Sequence, residues 1–380
     1  MNEKSQEMLF IKFMKSQIEK INRERENNNR TDDEFVINWI SQNSCKFRET
    51  WNNSLCSKCQ KSDKCGWKSL MNCNDFQKEL EMKRLAVFSG GGCKGYMPLF
   101  TLIKLENQFG PLDRYYDLMA GSSVGAINAA ILSTGKMSVK TLISIYPDLI
   151  KQVFKKNGWF NGTIYNRENF IKIWDQLIGK DFKMKDCKCK LQITSVNFLN
   201  QENHFFKSWE EKDGNEKLLD VVLRSFAAPL YFGVLIDYIK KMIWFDGGMG
   251  NANLPIDRAF TEARDILKWA NDIIQVDAFG CGYTDSSLSF EEGIKHKTFR
   301  QLLNYFDFND GGLARAQARS EQVGKMEIIA KNNNNFGFTY YDIEIPKNMD
   351  KLDGIKFLEQ YKEYGIKMSE KPLIEIRYRK

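Results

Sequence analysis

The sequence predicts an α/β protein: a mostly parallel central sheet with helices on both faces, preceded by a small helical, cysteine-rich extension. Three observations predict it. Short apolar runs alternate with helix-like stretches from residue 84 to about 330, the pattern of strands joined by helical crossovers. Several runs end in glycine turns, where the loops of a parallel sheet gather their chemistry at the carboxyl ends of strands. A length of 380 residues accommodates one large core and a small appended domain.

The elements follow in order. Residues 1–25 have Leu9, Phe10, Phe13, Met14, Ile18 and Ile21 on a helical period. This helix is expected to pack on the domain or a partner; a membrane-surface role is the sharper alternative. Residues 26–30 are a polar linker. Thr31-Asp32-Asp33-Glu34 has capping-box spacing and starts a helix through Phe35, Val36, Trp39 and Ile40.

Of the nine cysteines, five fall at Cys45, Cys56, Cys59, Cys65 and Cys73. Both thiolates of the Cys56-x-x-Cys59 turn can reach one ion. With Cys65 and Cys73 they make four soft ligands, suited to structural zinc or an iron–sulfur cluster, with Cys45 as a substitute ligand. Lys58, Lys61, Lys64 and Lys68 offset thiolate charge. Disulfides and scattered reduced thiols are the competing readings; the lack of a recognisable export signal argues against disulfides.

Leu85–Ser89 reads as a buried strand, followed by Gly90-Gly91-Gly92-Cys93-Lys94-Gly95 and a helix from Pro98 through Leu105. Bare backbone amides in such a loop can converge on an oxyanion. Glycine loops also cradle phosphate, but the Walker spacing is absent, and no ribose-binding acid follows for a dinucleotide. Tyr116–Ala120 is the next strand. It runs into Gly121-Ser122-Ser123-Val124-Gly125 and a small-residue helix from Ala126. Strand, sharp turn and helix are the context of a nucleophile elbow, with Ser123 at the turn and Gly121 and Gly125 easing it. Thr141–Phe154 and Arg258–Trp269 read as helices; Leu191–Asn197, Met242–Phe245 and Ile273–Phe279 read as strands. Met242–Phe245 delivers Asp246 onto Gly247-Gly248, where a desolvated carboxylate can take a serine proton. An ordinary Asp-Gly turn is the bland alternative. Lys331–Asn335 reads as a loop, and Phe336–Ile345 and Leu373–Arg377 read as edge strands of a terminal extension.

Four segments in this order resemble the patatin-like phospholipase family of serine acyl hydrolases. They are Ser89–Gly95, Gly121–Gly125, Arg224–Phe232 and Asp246–Gly248, with a weaker match at Val276–Gly282. The resemblance covers roughly residues 84 to 330. It implies a three-layer patatin-like fold and a Ser-Asp dyad, with Ser123 as nucleophile and Asp246 as general base. It implies further that amides around Gly90, Gly91, Gly92 and Cys93 hold the oxyanion, supported by Lys94, Gly95, Gly121, Gly125 and Gly247. No cofactor is needed for such chemistry. Asn253-Leu254-Pro255 departs from the family, where many members carry a second asparagine.

The two histidines bear on the mechanism independently. His204 precedes Asp246 and fails the Ser-acid-His order of an α/β-hydrolase. His296 fits the order but sits between Lys295 and Lys297, which reads as exposed surface. A Ser123-Asp246-His296 triad is therefore the second choice behind the dyad. Lys94 is open to three roles: steadying the glycine loop, meeting a lipid phosphate, or sitting in solvent. Trp159, Phe160, Tyr231 and Phe232 are core or acyl-site residues, core being favoured.

Three regions are expected: 1–83, an extension with the candidate metal site; 84–330, the catalytic domain; and 331–380, packed upon it. The net charge of +7 permits contact with anionic lipid without demanding it. No basic-aromatic module indicates nucleic acid. With no signal peptide and no run long enough to span a bilayer, the expected location is cytoplasmic, peripheral to membrane when active. The expected partners are an acyl-ester phospholipid, a transient membrane surface, a regulatory ligand or protein, and a second copy. Similar bacterial proteins include effectors of antiphage defence, so the resemblance implies a regulated membrane-degrading effector, with a secreted toxin delivered into a host cell as the other setting. A binding or assembly module acting through the cysteine-rich segment is the alternative.

Overall fold

The computed structural model describes residues 82–156, 163–270, 272–284 and 313–378. The N-terminal helices, the cysteine cluster at Cys45, Cys56, Cys59, Cys65 and Cys73, the pair Trp159 and Phe160, and His296 lie outside the described residues.

The described chain forms β1 (Lys83–Phe88), α1 (Pro98–Phe109), β2 (Leu118–Ser122), α2 (Val124–Ser133), α3 (Val139–Val153) and α4 (Glu168–Leu177). It continues through β3 (Lys190–Asn197), β4 (Glu202–Lys207), α5 (Leu218–Ser225), β5 (Leu235–Asp237), β6 (Met242–Asp246), α6 (Ile256–Thr261) and β7 (Ile274–Phe279). The last elements are α7 (Leu313–Asn332), β8 (Phe336–Tyr341), α8 (Leu358–Met368) and β9 (Ile374–Ile376). One sheet runs in the order β5-β6-β3-β2-β1-β7-β8-β9, with β4 also paired to β3. Strands β3, β2, β1, β7 and β8 are mutually parallel, while β4, β6, β5 and β9 join antiparallel.

Alternation along the strands builds a core on each face. Ala86, Phe88, Met119, Leu191 and Ile193 pack toward α1–α5 and α8, while Leu85, Val87, Leu118, Val276 and Phe338 pack toward α6 and α7. Burial on both faces explains the continuous apolar runs of the central strands. The three-layer α/β arrangement expected from the sequence is the arrangement observed.

Two local readings differ. The helix expected at Arg258–Trp269 is α6 followed by a wider π-type turn at Glu262–Ile266. Phe336–Ile345, read as an edge strand, forms the shorter β8 (Phe336–Tyr341), which lies inside the sheet between β7 and β9. Consecutive residues of β8 are buried on both faces, because α7 returns the chain parallel to β7. Among the described residues no helix is long and apolar enough to cross a membrane.

Candidate active site

The sheet register brings the two chemical groups together. Ser122, at the end of β2, pairs with Thr194 of β3, and the next residue of β3, Ser195, pairs with Asp246 of β6. Ser123 and Asp246 thus meet just past the carboxyl end of β2, at the level of Ser195 in β3. The Ser123 hydroxyl donates to Asp246 Oδ2 at 2.7 Å. Asp246 Oδ1 accepts from the Gly248 amide at 2.7 Å, which fixes the carboxylate plane. Asp246 is buried, so that proximity operates in a medium of low polarity.

Ser123 has φ 53° and ψ −125°, a region that a residue with a Cβ occupies only under strain. Two contacts hold it there. Its amide donates to Ser225 Oγ at 2.9 Å, and Ser225 in turn donates to the Thr194 carbonyl at 2.6 Å. The tight packing of the elbow also requires glycine beside it. A Cβ on Gly125 would lie 2.4 Å from the Phe88 carbonyl oxygen, and one on Gly121 would lie 2.3 Å from that of Gly125. Gly247 opens the short helical turn that follows Asp246.

The glycine loop divides its expected donors. The Gly90 amide is spent on the Asn253 carbonyl at 3.1 Å, and the Cys93 amide on the Leu352 carbonyl at 2.7 Å. Those two amides are therefore committed internally, contrary to the expectation that all four face an oxyanion. Gly91 and Gly92 have no backbone acceptor among the described residues, and each lines a cavity together with Ser123 and Asp246. Gly92 has φ +59°, and a Cβ there would meet the Leu352 carbonyl at 2.1 Å, so only glycine fits. The Cys93 thiol is buried, and desolvation pushes its pKa far up, which keeps it neutral.

Lys94 is neither solvated nor turned toward the cleft. Its side chain is fully buried, and its ammonium lies 2.5 Å from Asp350 Oδ1. Of the three roles open to it, steadying the loop is the one its position permits. Gly95 is anchored through its carbonyl, which accepts from Asn128 Nδ2 at 2.9 Å. Asn253 braces the other side of the loop, donating to Ser89 Oγ at 3.3 Å and to the Gly90 carbonyl at 3.2 Å.

The sequence reading gave no role to Ser225, Asp350 or Leu352. Ser225 lay in a segment noted for resemblance alone. Asp350 and Leu352 sit more than 250 positions from the loop they hold, and no local pattern marks them.

From Ser123 an apolar cleft of about 580 Å³ runs between α2, α3 and α4. Its walls include Ile127, Leu149, Val153, Phe154, Phe170 and Phe232. Tyr231 and Phe232, for which core was favoured, line this cleft. A second recess of about 450 Å³ opens from the same pair past Leu230 and Asn253. A hydroxyl bonded to a carboxylate, two open amides and an apolar trough suit acyl transfer from an ester with a long chain.

His204 takes no part in this cluster. It lies on β4, paired with Ser195, with its ring against Phe206 and Trp244. Burial lowers its pKa below the usual 6.5. Among the described residues no group of His, Cys, Asp and Glu is arranged to hold a metal ion.

Comparison with known proteins agrees with this architecture. Residues 86–260 match the patatin-like phospholipase family. A cGAMP-activated phospholipase of Escherichia coli is 28% identical, the match covering 52% of this chain and 60% of that protein. A protein of the same name from Vibrio cholerae is 27% identical, over 44% of this chain and 54% of its own length. Patatin-2-Kuras 3 of Solanum tuberosum is 25% identical, over 40% and 44%. The matches span about two-fifths to three-fifths of these relatives' own lengths. Residues 86–260 of the chain are thus similar to the patatin-like phospholipase family.

Proposed function

We propose that this protein is a lipid acyl hydrolase that cleaves carboxylic esters of phospholipids or lysophospholipids through a Ser123–Asp246 dyad. The observation that carries the reading is the 2.7 Å hydrogen bond from a strained Ser123 to buried Asp246, at the head of an apolar cleft.

The steps follow from the geometry. Asp246 Oδ2 takes the Ser123 proton as Oγ bonds to the ester carbonyl carbon. The carbonyl oxygen becomes an oxyanion, and the amides of Gly91 and Gly92 donate to it. The tetrahedral adduct collapses, the bond to the alcohol oxygen breaks, and Asp246 returns the proton to that oxygen. Water then attacks the acyl-Ser123 ester, giving its proton to Asp246. Oγ departs with that proton, and the fatty acid is released. The apolar cleft holds the acyl chain, and no cofactor enters any step. In this reading the catalytic unit extends past residue 330, since Asp350 and Leu352 hold the oxyanion loop.

We infer in addition that a ligand switches the activity. Two relatives are named as cGAMP-activated, and an unregulated phospholipase endangers the cell that makes it. A membrane-degrading effector of antiphage defence is the setting that goes with such a switch.

The test is fatty-acid release from mixed phospholipid vesicles, with and without cGAMP, by wild type and Ser123→Ala. Release by wild type alone supports the hydrolase, and a rise with cGAMP supports the switch. Equal release by the two proteins contradicts the dyad.

A further inference from the structure

The carboxyl edge of the sheet carries more than the active site. Because β6 runs antiparallel to β3, its first residues lie beyond the level at which Asp246 pairs with Ser195. The turn that leads into it (Tyr238–Lys241) and the turn after β3 (Phe198–Gln201) therefore project past the Ser123–Asp246 pair, on the same edge of the sheet. They are joined to each other. The Phe198 amide donates to the Ile243 carbonyl at 2.9 Å, and the Phe198 ring stacks on Phe245 at 4.6 Å.

These turns present large apolar side chains to solvent. Ile239 is 94% exposed and Tyr238 81% exposed, with Phe198 and Leu199 about half exposed beside them. Leu230, on the rim of the recess next to Ser123, is 63% exposed. Single exposed apolar residues are ordinary, whereas a group gathered at one edge marks an interaction surface.

The projection is held in place. Asp237 Oδ1 accepts from the amides of Ile239 and Lys240 at 3.1 and 2.9 Å, while Oδ2 pairs with buried Arg224 at 3.3 Å. The acids on this side are thereby engaged: Asp237 by Arg224, and Glu216 by Arg224 and Lys240. Lys241 is exposed on the turn itself, and Lys155 and Lys156 are exposed on the strand-like segment opposite Tyr165, next to Ile164 and Leu230. None of these three lysines has an ion-pair partner among the described residues. Exposed Glu202 on the β4 side and exposed Glu168 beside the Lys155–Lys156 segment are acids that remain nearby.

We propose that this edge is the membrane-docking surface of the enzyme: Tyr238 and Ile239 enter the interfacial layer of an anionic phospholipid bilayer, and Lys241, Lys155 and Lys156 face its headgroups. The proposal rests on the acyl-hydrolase reading for its choice of occupant, and charge complementarity supports it: exposed Lys241 stands beside the apolar tips, and exposed Lys155 and Lys156 stand beside Leu230 at the mouth of the recess. Docked in this way, the mouth beside Leu230 opens onto the lipid, and an acyl chain reaches Ser123 without crossing water.

The test uses the full chain and vesicles of phosphatidylcholine with phosphatidylglycerol. Sedimentation is compared for wild type, Tyr238→Ser/Ile239→Asp and Lys241→Glu, with hydrolysis of a water-soluble short-chain ester measured in parallel. The double variant is expected to bind vesicles about tenfold or more weakly. Lys241→Glu is expected to weaken binding to phosphatidylglycerol vesicles several-fold, and less so at high salt. Soluble-ester turnover and the melting temperature stay at wild-type values. Unchanged vesicle binding by the double variant overturns the proposal. So does a shift from dimer to monomer with vesicle binding intact, which makes the edge a contact between copies. If binding falls but wild type hydrolyses neither ester nor lipid, the docking surface stands and the hydrolase reading fails.

Discussion

Lys94 and Asp350 form a buried ion pair, 2.5 Å between Nζ and Oδ1, that ties the glycine loop to a segment 256 residues away. The same segment supplies the Leu352 carbonyl that captures the Cys93 amide. With Asn253 on its other side, the loop is held from two directions, and the amides of Gly91 and Gly92 remain open toward Ser123. An oxyanion hole works because its donors are fixed before charge develops.

Removing one partner of a buried pair leaves the other charge desolvated. Asp350→Ala is expected to lower unfolding free energy by about 3–5 kcal/mol, measured by urea denaturation. A Lys94→Met/Asp350→Leu double variant recovers most of that stability, because neither charge then remains. A double variant as unstable as the single one contradicts this account.

Ser225 holds the elbow through the Ser123 amide. Ser225→Ala leaves that amide and the Thr194 carbonyl without their partner, at a cost of about 1–3 kcal/mol. Turnover is expected to fall more than substrate affinity, since Ser225 faces the elbow backbone. Wild-type turnover and melting temperature in this variant contradict the role.

The proposed function places the acyl chain in the cleft beyond Ser123, so the cleft's depth is expected to limit chain length. Leu149→Trp fills part of the cleft. Long-chain esters are then expected to lose about tenfold or more in kcat/KM relative to short ones, a few methylenes being excluded. An unchanged chain-length profile places the acyl chain elsewhere, the recess beside Leu230 being the next candidate.

His204 couples stability to pH. Burial depresses its folded pKa below the unfolded value of 6.5. Its contribution is fully present above that value. It is lost as pH falls through the folded pKa, because the unfolded chain binds the proton first. Wild type is expected to melt lower at about pH 5 than at pH 7.5, with a smaller drop in His204→Asn. Equal drops contradict it.

What the sequence made legible was local. The glycine loop, the elbow and the Asp-Gly turn each place a strand end beside small residues, and each lies where the motif puts it. Strand limits moved by a residue or two: Tyr116–Ala120 became Leu118–Ser122, and Ile273–Phe279 became Ile274–Phe279. Pairing across long separations was not legible. Nothing in Asp350 or Leu352 announces the loop they hold, and β8 read as an edge because its partner β9 follows a further helix. Donor assignment also failed from pattern alone. Four amides in a row look equivalent, yet Asn253 and Leu352 consume those of Gly90 and Cys93.

The central claim is that a carboxylate, without histidine, activates Ser123. Fluorophosphonate labelling rates of wild type, Asp246→Asn and a His204→Asn/His296→Asn double variant test it most directly. The account predicts that Asp246→Asn slows labelling about 100-fold or more, while the double histidine variant labels within about twofold of wild type. A folded double variant that no longer labels, beside an Asp246→Asn that still does, would contradict it.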